Sequence, residues 1–245
     1  MIFVEGFEMI DVYYIPKYET SDKQCREGLV VEPKIVAEMI RSARRPVLIT
    51  GGKLLEDDRL VDYAVKFYEK GIPIIATGAS SKPLVERGVR PLFVSRTLHY
   101  ITQYLLDTSW KGFDGKGRYD LILFMGFNPS YLSRMLSALK HFSDLTTVSI
   151  DEFYQPNAKY SLTDFALIVR EELCIGCGNC VIVCPYNAIE CQSIVKNGKR
   201  LVVDVRFCRD CEYVFCADSC PYDAIEFVKG GEIYYKALEE ILESI

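Results

Sequence analysis

Residues 174–190 read CIGCGNCVIVCPYNAIE, and residues 208–226 read CRDCEYVFCADSCPYDAIE. The first run spaces its cysteines as Cys174-x2-Cys177-x2-Cys180-x3-Cys184, and the second as Cys208-x2-Cys211-x4-Cys216-x3-Cys220. Each run closes on Cys–Pro, and CPYNAIE (184–190) matches CPYDAIE (220–226), which marks an internal duplication. Three thiolates in one tight loop can wrap an edge of a cubane cluster, and each cubane needs four thiolates in all. Paired zinc sites also use Cys-x2-Cys, but they do not account for eight cysteines in two runs that both end in Cys–Pro. The spacing therefore predicts two [4Fe–4S] clusters and one-electron chemistry. Nine of the ten cysteines lie between Cys174 and Cys220. In a secreted chain that density would mean disulfides, but iron ligation by thiolates points to a reducing compartment. Cys191 and Cys25 fit no ligand slot and read as small apolar fillers.

Taken as a whole, residues 171–230 resemble bacterial-type two-cluster ferredoxins, a small α+β fold with pseudo-twofold symmetry. In such proteins the fourth cysteine of each run ligates the other run's cluster. The resemblance implies Cys174, Cys177, Cys180 and Cys220 on cluster 1, with Cys208, Cys211, Cys216 and Cys184 on cluster 2. The four-residue gap between Cys211 and Cys216 departs from the symmetric pattern. It is similar to one run in the four-cluster electron-transfer subunits of membrane oxidoreductases, so the ligand set is kept.

Working outward, Asn197–Gly198 sits between Ile194–Lys196 and Lys199–Val203 and predicts a hairpin, because both turn residues tolerate positive φ. Residues 231–245 predict a final helix, with Leu238, Ile241, Leu242 and Ile245 on one side. Upstream of the cysteines the texture is different. Continuous apolar runs at 46–50, 72–77, 120–126 and 146–150 read as strands buried on both faces. Segments of helical period separate them. Pro33 opens the first, Asp57–Asp58 the second and Asn128–Pro129 the last, and Leu98, Ile101, Leu105 and Leu106 mark a third. Four strands alternating with four helices predict a doubly wound, mostly parallel α/β sheet over residues 32–170. Residues 1–31 read as an N-terminal extension with one strand-like run, Asp11–Ile15.

Charge is unevenly placed. Residues 171–245 hold 7 Lys+Arg against 13 Asp+Glu, whereas 1–170 hold 22 against 21. An acidic C-terminal third argues against nucleic acid and suits docking to a basic patch on another protein. No apolar stretch approaches the ~20 residues a membrane span needs. The opening MIFVEGFEMI, with Glu5 and Glu8 inside its apolar run, makes a poor signal peptide. The expected location is cytoplasmic.

The α/β region shows no legible catalytic motif. Gly51, Gly52, Thr77 and Gly78 follow two strands and are the candidates for binding a nucleotide or flavin. There is no G-x-G-x-x-G and no P-loop, so tight NAD binding is not expected. His99 and His141 lie in no nucleophile pattern.

RSARRPVLITGG (41–52), GIPIIATGASS (71–81) and the long run from Trp110 to Ala158, opening WKGFDGKGRYD, are similar to the epsilon subunit of archaeal carbon monoxide dehydrogenase/acetyl-CoA synthase. That resemblance implies a fold like the central, nucleotide-binding-type domain of thiamine-diphosphate enzymes. It also implies association with a nickel–iron–sulfur catalytic subunit that interconverts CO and CO2. A cluster module on the same chain departs from the family pattern, in which the extra clusters belong to the catalytic subunit. The combined expectation is an electron-transfer accessory subunit, not itself a catalyst, relaying electrons between carbon monoxide dehydrogenase and an external ferredoxin-like carrier. The alternative is a self-contained oxidoreductase with FAD or a nicotinamide cofactor in the α/β region.

Overall fold

The computed structural model describes residues 10–16, 28–95, 97–194, 198–205, 207–208, 211 and 214–245. The elements in chain order begin with β1 (Ile10–Tyr14), β2 (Leu29–Val30), α1 (Pro33–Ser42), β3 (Pro46–Thr50) and a 3-10 turn at Gly52–Leu55. Next come α2 (Asp58–Glu69), β4 (Ile74–Thr77), α3 (Gly78–Glu86), β5 (Phe93–Ser95) and α4 (Leu98–Leu106). Then follow β6 (Leu121–Met125), α5 (Pro129–Phe142), β7 (Thr146–Ser149), β8 (Tyr160–Ser161) and β9 (Phe165–Arg170). The remainder is α6 (Asn179–Val183), β10 (Ile189–Ile194), β11 (Gly198–Val203), α7 (Phe215–Asp218), β12 (Ile225–Lys229) and α8 (Gly231–Ser244).

The chain forms two compact units, each drawn from two stretches: Tyr18–Leu162 with Tyr234–Ile245, and Met1–Lys17 with Thr163–Ile233. These limits fall elsewhere than the expected ones at 31, 170 and 230. Strand pairing is the reason. β1 pairs antiparallel with β9, from Ile10↔Arg170 to Tyr14↔Ala166, and β9 pairs with β12. The N-terminal strand thus belongs with the cysteine-bearing unit.

The larger unit is a seven-stranded parallel sheet in the order β2-β8-β7-β6-β3-β4-β5. Alternate residues of its central strands feed two separate cores. Leu48, Ile74, Leu121, Leu123 and Met125 pack with Val36 and Ile40 of α1, Val61 and Phe67 of α2, and Leu238 and Ile241 of α8. Val47, Ile49, Ile75, Ile122 and Phe124 pack with Leu98 and Ile101 of α4 and Leu132 and Leu136 of α5. Helices on both faces are what make the strands read as unbroken apolar runs. The caps are where the sequence places them: Asp57 accepts from Leu60 N–H at 3.1 Å and Asn128 from Tyr131 N–H at 3.2 Å.

Four strands and four helices undercount this unit. The missing strands are β5, of three residues, and the sheet edge β2 and its neighbour β8, of two residues each. None is long enough for periodicity to register. The missing helix, α3, opens directly on the Thr77–Gly78 turn and carries Pro83 inside it, a residue that argues against a helix in sequence.

In the smaller unit, β1-β9-β12 form an antiparallel sheet, β10 and β11 form a hairpin, and α6 and α7 are short. The hairpin register runs Ile189↔Val203 to Ile194↔Gly198. The predicted turn residue Asn197 and the unassigned Cys25 lie outside the described residues.

Candidate iron–sulfur centre

The duplication read from sequence is a structural repeat. Asn187 and Asp223, the fourth residues of CPYNAIE and CPYDAIE, both have φ of 51°, and among the described residues they are the sole non-glycines at positive φ. Asn and Asp tolerate the left-handed region better than other side chains with a Cβ. The tight turn brings the chain back on its own cysteine. Ala188 N–H donates to Cys184 Sγ at 3.3 Å, and Ala224 N–H donates to Cys220 Sγ at 3.3 Å. Each fourth cysteine is therefore held by the same backbone N–H···S bond, which suits a thiolate acceptor.

Cysteines far apart in sequence come together. Cys174, Cys177 and Cys180 line one recess with Cys220 from the second run, closed by Leu201, Ala224 and Ile225. Around Cys216, the neighbours whose charge it feels are Cys184 and Cys211. Cys180, Cys208 and Cys216 are buried in the unit's apolar core, while Cys177 is exposed. None of the nine described cysteines forms a disulfide.

Burial pushes the Cys180 thiol up to about 12, with Cys191, Cys174, Cys177 and Cys216 adding to the rise. It pushes Cys216 up to about 11, with Cys184 and Cys211 contributing. Such thiols keep their protons unless a metal displaces them. Among the described residues no group of three or more His, Cys, Asp or Glu is spaced for a single metal ion. A cubane holds its ligands farther apart than one tetrahedral ion does, and four cysteines lining one recess are the donor set such a cluster takes.

The second candidate region lies at the carboxyl ends of β3 and β4. A Cβ on Gly51 would stand 2.3 Å from Gly126 O, so Gly51 is fixed by the close approach of the β3 and β6 ends. Thr77 Oγ1 donates to Thr50 O at 2.9 Å, and Ser80 Oγ donates to the same carbonyl at 3.0 Å. Gly52 and Thr77 line a cleft of roughly 1100 Å³ including its open mouth, together with Lys53, Ala79, Thr97, Asn128 and Tyr131. Gly51 and Gly78 are not in its lining. Thr77, Thr97 and Asn128 are the N-caps of α3, α4 and α5, so three helix starts open on one cleft. It sits where strand order reverses, since β4 and β5 lie to one side of β3 and β6 to β8 on the other.

Two residues escaped the sequence reading. Asp151, fully buried past the end of β7, accepts from Gly126 N–H at 2.6 Å and Phe127 N–H at 3.2 Å. Burial raises its carboxyl to about 7, against the lowering pull of those bonds and of Lys53. Cys191, expected to be a filler, lines the recess of Cys174, Cys177, Cys180 and Cys220. Its position one residue past the CPYNAIE repeat was the available signal.

Comparison with known proteins agrees on both parts of the chain. Residues 167–190 match the 4Fe-4S binding domain, a match that covers the first cysteine run. Residues 11–172 match the family described as CO dehydrogenase beta subunit/acetyl-CoA synthase epsilon subunit. The epsilon 1 subunit of the acetyl-CoA decarbonylase/synthase complex of Archaeoglobus fulgidus is 59% identical over 149 residues, which is 60% of this chain and 81% of that one. The epsilon subunit from Methanothrix soehngenii is 38% identical over 135 residues, 55% of this chain and 72% of its own length. An epsilon 1 subunit from Methanosarcina barkeri is 39% identical over 132 residues, 54% and 76% respectively. The chain belongs to the CO dehydrogenase beta subunit/acetyl-CoA synthase epsilon subunit family and carries a 4Fe-4S binding domain in addition.

Proposed function

We propose that the chain is the electron-relay accessory subunit of an acetyl-CoA decarbonylase/synthase complex, passing electrons between a carbon monoxide dehydrogenase catalytic subunit and an external ferredoxin-like carrier. The observation that carries it is the meeting of cysteines from the two runs: Cys220 lines one recess with Cys174, Cys177 and Cys180, while Cys184 of the first run and Cys211 are the cysteines whose charge Cys216 feels. We assign the first four to one [4Fe–4S] cluster and Cys208, Cys211, Cys216 and Cys184 to the other. When bound, such clusters supply reversible one-electron storage. The chain's own part is to hold the thiolates, to aim Ala188 and Ala224 N–H at Cys184 and Cys220 Sγ, and to bury Cys180, Cys208 and Cys216 away from water. The surplus of acid in residues 171–245 favours a basic recess on the partner.

The test has two arms. The intact chain should contain about eight irons and should copurify with a nickel-containing carbon monoxide dehydrogenase subunit. Cys184→Ser should alter the spectrum of the cluster held by Cys208, Cys211 and Cys216. Should it alter only the cluster of Cys174, Cys177 and Cys180, the crossed assignment is wrong. With the catalytic subunit present, CO should bleach the iron–sulfur absorbance, and failure to bleach ends the relay role.

One observation favours a second reading. Three helix N-termini and Lys53 meet at a cleft on the switch point of the sheet, a placement that suits the phosphates of a dinucleotide. In that reading the α/β unit is of the thiamine-diphosphate central-domain type and holds FAD. A flavin absorbance in the purified chain, beside that of the clusters, decides for it.

A further inference from the structure

Cubane clusters take four thiolates, yet five cysteines line the recess that gathers the first run. Cys191 is there with Cys174, Cys177, Cys180 and Cys220. The strand geometry explains its presence. Ile189 is buried, Glu190 exposed and Cys191 half-buried, so the pleat turns Cys191 to the same inner face as Ile189.

The duplicated half repeats this layout with one change. β12 runs buried Ile225, exposed Glu226 and half-buried Phe227. Ile189 pairs with Val203 and Cys191 with Leu201, just as Ile225 pairs with Val169 and Phe227 with Leu167. The position that is Cys191 beside one cysteine set is thus Phe227 in the other half. Phe227 stacks on Phe165 with centroids 5.4 Å apart, filling its place with an apolar ring.

We propose that Cys191 is a non-ligating thiol packed on the cluster held by Cys174, Cys177, Cys180 and Cys220, and that its S–H sets that cluster's reduction potential above that of its twin. Hydrogen bonds to cluster sulfurs are among the factors that set such potentials, and a thiol is a weak donor where phenylalanine offers none. Two clusters built on duplicated sequence are thereby made unequal, and the cluster beside Cys191 is the electron's resting site. The inference rests on the two-cluster assignment proposed above.

The experiment is a redox titration of the anaerobically loaded full chain, followed by electron paramagnetic resonance, with iron counted in every variant. Cys191→Ala should keep about eight irons and move one midpoint down, by about tenfold in the reduction equilibrium or 59 mV for one electron. The other midpoint should stay. Cys191→Ser, which keeps an O–H donor, should remain near the parent value, whereas Phe227→Cys should raise the lower midpoint and narrow the gap. Unchanged midpoints in Cys191→Ala overturn the proposal. So does an equal shift in Cys191→Ser, which would make packing the cause. Loss of a cluster from Cys191→Ala also overturns it, because Cys191 would then be a ligand. A parent chain with only four irons instead defeats the two-cluster assignment itself, and the proposal falls with it.

Discussion

Asp151 shows how much one side chain can be asked to tolerate. Its carboxylate has lost water on every side and is compensated by two backbone donors, Gly126 and Phe127, with Lys53 as a more distant attraction. Desolvation wins, and the group titrates near 7 in the fold against an ordinary value near 3.9 in an open chain. Between those limits the folded form holds a proton that the unfolded form has released. Stability conferred by this residue therefore falls as pH rises from about 4 to about 7, by at most about 1.4 kcal/mol per pH unit. Asp151→Asn cannot titrate, so its unfolding midpoint should change less over that interval than the parent's. Trp110, the single tryptophan, packs in the core shared by α4 and α5 and reports this unit by fluorescence. Equal pH slopes in parent and variant would show that the carboxyl is not held up by burial.

At the scale of elements, α8 is the instructive piece. Tyr234, Ala237, Leu238, Ile241 and Leu242 are buried against α1, α2 and the sheet. Tyr234 OH donates to Ile150 O at 3.0 Å, and Tyr235 OH donates to the carboxylate of Asp57, the residue that caps α2. Arg59 lies over the Tyr235 ring at 4.0 Å and Tyr63 stacks on it at 5.6 Å. Leu238→Ala should cost the α/β unit about 2–5 kcal/mol, the usual range for a buried leucine, and leave the iron content unchanged. A variant as stable as the parent would place α8 outside that core. The α8 stripe is legible in sequence because its apolar spacing is regular, as it is in α1, α2, α4 and α5, and in α2 and α5 the side-chain caps agree with it. β2 and β8 are not, since two-residue strands owe their existence to the neighbours they pair with. The cysteine runs are legible because ligand spacing is local. Asp151 and Cys191 are hidden for the opposite reason: their surroundings are assembled from segments 24 or more residues away in Asp151's case, and from both cysteine runs in Cys191's.

At the scale of the molecule, neither unit is one continuous length of chain. Deleting residues 171–245 to remove the clusters would also strip α8 from the α/β unit, so truncation confounds electron transfer with stability. Substituting ligands avoids this. A chain with Cys174→Ser and Cys208→Ser should lose most of its iron, keep the Trp110 signal of a folded α/β unit, and still copurify with the catalytic subunit. It should fail to pass electrons from CO to an external acceptor. Copurification lost along with the iron would place the docking surface on the cysteine-bearing unit. The interleaving also has a consequence for synthesis. Domains tend to fold as they leave the ribosome, N-terminal first, at about 5–20 residues per second. Here α8 emerges only after Cys220, the last of the eight candidate ligands. Cys220 therefore leaves the ribosome ahead of α8, so the last candidate thiol is free while the larger core still lacks its closing helix.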